Sequence, residues 1–113
     1  MVTIDALKSF GANTDEGLAR CVNMEALYLK LVNTAASDEG YDKLQSALDA
    51  HDFSAAFDAA HGLKGVLANL ALTPILEPVA EVTELLRAGK DMDYSSYMNT
   101  ILQKRDELKA ICS

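Results

Sequence analysis

Residues 53–71 read FSAAFDAAHGLKGVLANLA, and the fold turns on this stretch. It holds no proline and little β-branching, and Asp52 stands just before it as a side chain able to cap a helix N-terminus. At ~100° per residue, Phe53, Ala56, Phe57, Ala60, Leu63, Leu67 and Leu70 fall within one broad arc, the face that a helix would bury. His61 lies well outside that arc, on a stripe with Ser54, Asp58, Gly65 and Ala68. The spacing therefore predicts a helix from Phe53 to about Ala71 with His61 facing solvent near its middle.

Downstream, Thr73 before Pro74 matches a cap followed by proline at the first helical position. The next helix is expected to run to Ala88, with Gly89 as a left-handed stop and Pro78 loosening its first turn. Lys90 to Asp93 form a charged turn, and Tyr94, Tyr97, Met98, Ile101, Leu102, Leu108 and Ile111 supply the stripe of a final helix. Upstream, Leu27, Leu31, Thr34, Tyr41, Leu44 and Leu48 recur at helical spacing across the polar Ser37–Gly40. One long helix from Met24 to Ala50, capped by Asn23 and bent at Gly40, is expected. Two shorter helices are the alternative, because a mid-helix glycine costs about 1 kcal/mol relative to alanine. Thr14 with Asp15 and Glu16 reads as the start of a short helix to about Val22. The expected architecture is all-α, an antiparallel up-down-up-down four-helix bundle with a short extra N-terminal helix across one end, in a single domain over residues 1–113.

Composition agrees with helices and removes several functions. Of the 113 residues, 50% are hydrophobic and only two are proline, and Ala, Leu, Glu, Asp and Lys dominate. A formal net charge of -7 argues against a nucleic-acid surface, which rewards clustered lysine and arginine. No apolar run approaches the ~20 residues that span a bilayer, and MVTIDALKSF lacks a signal peptide's basic start and long apolar stretch, so no membrane partner and a cytoplasmic location are expected. Cys21 and Cys112 are far apart with no metal-ligand spacing and read as reduced structural thiols.

The outward stripe of the histidine helix carries chemistry. An unperturbed imidazole titrates near ~6.5, so an exposed ring offers a neutral nitrogen nucleophile near neutral pH without a further base. Lys64, three residues on, is placed to reach a group attached to His61 and to offset its negative charge. Gly65 stands one turn beyond, where alanine would favour the helix, which points to close approach of something to the backbone. The blander readings are a surface histidine of no function or, through the Asp58–His61 spacing, half of a carboxylate-bundle metal site that lacks its second half. His51 reads as a solvated turn residue. Glu77, Glu81, Glu84 and the charges from Gln103 to Lys109 read as solvated faces that tune partner choice. There is no Gly-rich phosphate loop, so neither ATP binding nor self-phosphorylation is expected.

Ala60, His61, Leu63, Lys64 and Gly65, with Ala68, Asn69 and Leu70, resemble the AHxLKGxxxNLG signature of the histidine-phosphotransfer (HPt) domain family. GLARC at 17–21, ALDAHDF at 47–53 and TELLRAGKD at 83–91 are similar to the family's usual punctuation, so the resemblance covers most of residues 15–111. It implies a phosphorelay intermediate. His61 would accept a phosphoryl group from a receiver-domain aspartate or a hybrid histidine kinase and pass it to a response-regulator receiver, while Lys64 steadies the phosphoryl oxygens. Gly65, with Ala68, Gly62, Ser54 and Asp58 beside it, would leave the docking face open. No cofactor is implied for this chain, and Mg²⁺ is expected only in the partner receiver. Three departures from the pattern bear on partner choice: Gly62 replaces a larger polar residue, Val66 and Leu67 replace small ones, and Ala71 replaces a common final glycine.

Two alternatives keep the bundle and change the role. One is a helical adaptor with an HPt-like fold that does not transfer; the other is the phosphorylation domain of a larger histidine kinase. The initial methionine and the end just past the last helix favour a stand-alone protein, expected to be a monomer.

Overall fold

Side chains at the helix ends set the punctuation of the chain. In the computed structural model, which describes residues 1–113, seven helices form: α1 (Ile4–Phe10), α2 (Thr14–Arg20), α3 (Glu25–Ala36), α4 (Gly40–Asp49), α5 (Phe53–Asn69), α6 (Thr73–Arg87) and α7 (Ser95–Cys112). Thr3, Asn13 and Asp52 cap α1, α2 and α5 by accepting the backbone N–H three residues on. Gly11 and Gly89, at φ +108° and +72°, follow α1 and α6 as left-handed stops. The turn after α5 is closed the same way without glycine. Ala71 sits at φ +54°, its N–H donates to the Ala68 carbonyl and that of Leu72 to the Leu67 carbonyl, satisfying the last carbonyls of the helix.

The long helix expected from Met24 to Ala50 is instead two helices, α3 and α4, separated by Ser37–Glu39. The Asp38 carboxylate accepts the Gly40 N–H at 2.7 Å and starts α4 afresh. Gly40 faces Leu63, whose Cδ2 would stand 2.9 Å from a Cβ added there, so the glycine lets α4 approach α5 rather than bending one rod. The break also shifts the phase of α3. Tyr28, Val32, Ala35 and Ala36 turn inward, while Leu27 and Leu31, expected on the core stripe, are 37% and 38% exposed.

Smaller boundaries move for local reasons. Asn23 does not cap α3; it is left-handed at φ +57°, and Met24 holds the cap position without a side-chain bond. Thr14 is buried inside the first turn of α2, leaving Asn13 as the cap, and that helix stops at Arg20. Leu72 rather than Thr73 occupies the cap position of α6, with Pro74 in the first turn and Pro78 contained in the helix without breaking it. Residues 4–10 form a helix that no periodic signal announced, so two short helices precede the bundle rather than one.

Turns of three residues join α4 to α5 and α5 to α6, which folds neighbours back on each other. Helix α5 lies between α4 and α6, α6 also packs on α7, and α7 on α3, so the α3–α4 pair acts as one broken wall of a four-walled bundle. A continuous core of 26 buried residues draws on every helix except α2, and Ala56, Ala60, Leu63 and Leu67 line it from α5 as the wheel predicts. Phe53 and Phe57 remain half-buried at its edge. The α5–α6 turn is the hub of the N-terminal end: the Ala71 carbonyl accepts the Asn13 N–H at 3.0 Å, and the Leu70 carbonyl accepts the buried Tyr28 hydroxyl at 2.9 Å. No helix is long and apolar enough to cross a membrane. Both cysteines are free thiols, Cys21 buried and Cys112 partly so.

Candidate functional site

His61 stands exposed on α5, in the middle of a helix anchored on both sides. Its ring is held in place. The imidazole stacks on Phe57, one turn earlier, with centroids 5.6 Å apart and 10° between the planes. Because Phe57 is itself packed against the core, an otherwise free side chain is tied to the rigid part of the bundle.

Helix α6 completes the site. Arg87, from its last turn, places its guanidinium carbon 5.0 Å from the Phe57 ring centroid. The Lys64 ammonium lies 3.6 Å from Glu84 Oε1, across the α5–α6 interface, and Glu84 Oε2 accepts from Arg87 Nε at 3.3 Å. Two cations on the α6 side of His61 therefore share one carboxylate. Glu84, expected on a merely solvated face, and Arg87, which carried no expectation of its own, join the site only when α5 and α6 are set side by side.

The α4 side is bare by contrast. Asp58 and Gly62 line a shallow groove between α4 and α5, floored by Ala47, Ala59 and Leu63. A Cβ built on Gly62 or Gly65 would meet nothing within 4 Å, so neither glycine is required by packing within this chain. Ser54 and Asp58 are exposed with them, and Ala68 is half-buried. The structure thus gathers His61, Lys64, Gly62, Gly65, Ser54, Asp58 and Ala68 on one helix face.

His51 does not belong to this face. It ends α4 in a left-handed conformation at φ +54°, 5.8 Å from the Phe53 ring, beside a separate depression lined by Met92, Tyr94 and Met98. No group of three or more His, Cys, Asp or Glu side chains is arranged to hold a metal ion. What the site offers chemically is a ring nitrogen open to an electrophile carried by another molecule, with cations one turn away on the same helix and on the next.

The sequence matches a family model described as Hpt domain over residues 34–112, a span that holds α4 to α7 and the whole stripe around His61. No curated protein and no solved structure matches the chain significantly. With well over half of its length matched, and with an all-helical bundle to carry it, the chain belongs to the Hpt domain family, the histidine phosphotransfer modules of two-component signalling.

Proposed function

We propose that His61 is the residue that carries the phosphoryl group, taking it from a receiver aspartate or a hybrid kinase and giving it to a response-regulator receiver. The observation that carries this reading is an exposed imidazole fixed by the Phe57 stack, with Lys64 three residues on along the same helix. The unprotonated ring nitrogen attacks phosphorus, the bond from phosphorus to the aspartyl oxygen breaks, and the carboxylate departs; the proton on the other ring nitrogen is free to leave to solvent. Such a transfer depends on in-line placement and on neutralising the phosphoryl oxygens rather than on a local base. Lys64 supplies one cation, and the receiver brings the magnesium ion.

Gly62 and Gly65, with Ser54, Asp58 and Ala68, form the face on which the receiver docks, since nothing inside this chain needs those two positions to be glycine. The exchange we propose is one between cytoplasmic partners. The test is direct. A receiver loaded with labelled phosphate should label the wild type and leave His61→Gln unlabelled, with the label stable in alkali and lost in acid; equal labelling of both proteins refutes the assignment.

A further inference from the structure

Resting on the assignment of His61, we infer that Glu84 is a regulatory counter-ion: it occupies Lys64 and Arg87 in the unphosphorylated protein and competes with the phosphoryl group for them. The geometry is specific. One carboxylate spans the two cations on the α6 side of the His61–Phe57 stack, with Oε1 3.6 Å from Lys64 and Oε2 3.3 Å from Arg87. Lys64 is a half-buried side chain whose ion pair is made to α6, so a phosphoryl group on His61 gains its cation by drawing it away from Glu84.

Charge arithmetic gives the direction of the effect. Lys64 and Arg87 carry two positive charges, which would match a phosphoryl group of roughly two negative charges. Glu84 leaves the cluster one charge too negative once that group arrives, and Asp58, one turn back on α5, adds to the same side. The phosphorylated state is therefore less favourable than Lys64 and Arg87 alone would make it. For an intermediate that must give its group away, this prevents the carrier from becoming a sink. The coupling is reciprocal: Glu84 weakens the hold on the phosphoryl group by as much as that group loosens Glu84.

Phosphoramidate tests this without any protein partner. Its P–N bond breaks, ammonia leaves, and a new P–N bond forms to the ring nitrogen. A His51→Gln background leaves His61 as the one histidine able to react, since the chain has two. Phosphorus NMR then reads the pKa of the bound phosphoryl group, which falls as its surroundings become more positive. Glu84→Gln should lower that pKa by about 0.3 to 0.7 of a unit, the size that partly exposed ion pairs carry. Glu81→Gln, an exposed carboxylate one turn away that makes no ion pair, should leave it unchanged. In a Lys64→Ala background the effect of Glu84→Gln should shrink. An unaltered pKa in Glu84→Gln, an equal shift in Glu81→Gln, or an undiminished shift without Lys64 overturns the inference while the labelled His61 stands. Failure of the wild type to show a phosphohistidine signal at all overturns the His61 assignment, and the counter-ion role with it.

Discussion

The imidazole of His61 lies nearly parallel to the ring of Phe57, the centroids 5.6 Å apart and the planes 10° from coincidence. One turn of helix separates the two residues, so the stack is a local consequence of their spacing. Its effect is to restrict a ring that would otherwise sample several rotamers in water, and a nucleophile already oriented loses less entropy when its electrophile docks. Phe57→Leu keeps an apolar side chain at the edge of the core but removes the flat surface. Ring stacking of this kind is worth about 0.5–1.5 kcal/mol, so phosphoryl transfer to His61 should slow by about two- to tenfold with helix content unchanged. The carbon-bound ring protons of His61 should also move in the NMR spectrum as the ring current of Phe57 is lost. Unchanged shifts would show that the rings do not stack in solution.

The helical glycines divide into two kinds, and single alanine substitutions separate them. At Gly62 and Gly65 a Cβ has open space, so alanine should raise stability by about 0.5–1 kcal/mol in urea unfolding. Gly65→Gln should keep the fold and, if the receiver docks on this face as proposed, slow transfer strongly, because the longer side chain fills the open space there. At Gly17 a Cβ would stand 2.5 Å from Cε1 of the buried Tyr28, and at Gly40 2.9 Å from Leu63 Cδ2. Alanine at either should cost about 1–3 kcal/mol, since neither a buried ring nor a core leucine can move aside freely.

How much of this was legible in the sequence depends on how local each cause is. Helix α5 could be read because the cap Asp52, the apolar arc and the outward His61 all lie within one segment, and the end of α6 because Gly89 is a local stop. The break at Ser37–Glu39 is harder to read, since the helical spacing of apolar residues from Leu27 to Leu48 favours one rod. What decides it is partly tertiary: Leu63, far along the chain, packs against Gly40. The exposure of Leu27 and Leu31 follows from the same break, which shifts the phase of α3. Helix α1 is not legible because seven residues give periodicity too little to repeat. The pairing of Lys64 with Glu84 could not be read at all, because it depends on the register of α5 against α6. His61 and Lys64 share one segment and can be read together as candidates, whereas Glu84 and Arg87 join them only through the fold.

Ala71 offers a test of backbone strain. It sits at φ +54° in the closure after α5, a conformation that costs a residue with a Cβ roughly 1–2 kcal/mol. Ala71→Gly removes that strain and pays back only part of it as extra freedom in the unfolded chain. The net expectation is a gain of about 0.5–1 kcal/mol and a rise of a few degrees in Tm. Ala71→Val should do the reverse, because β-branched side chains fit the left-handed region poorly. Thermal unfolding followed by circular dichroism ranks the three proteins, and the order Gly above Ala above Val is the expected one.

Two buried tyrosines should respond oppositely to loss of the hydroxyl. Tyr28 donates to the Leu70 carbonyl at 2.9 Å, and Tyr28→Phe should cost about 1–3 kcal/mol by leaving that carbonyl unpaired. The Tyr41 hydroxyl has no partner in the protein, so Tyr41→Phe should be neutral or stabilising by up to about 1 kcal/mol, with the ring still beneath Arg105. Alkali provides an independent check. Burial, and secondarily the nearby Cys21, pushes the Tyr28 hydroxyl up to about 12, and burial with the charge of Asp38 pushes Tyr41 up further. A tyrosine in the unfolded chain loses its proton near about 10, so above that pH the folded protein holds protons that the unfolded chain has released. Stability is thus complete below about pH 10 and declines as pH rises from there through the folded-state value of Tyr28. Urea unfolding between about pH 9 and 11.5 should show this decline in the wild type and a shallower one in either phenylalanine variant. Equal slopes in all three proteins would mean that neither hydroxyl is shielded from water in the folded state.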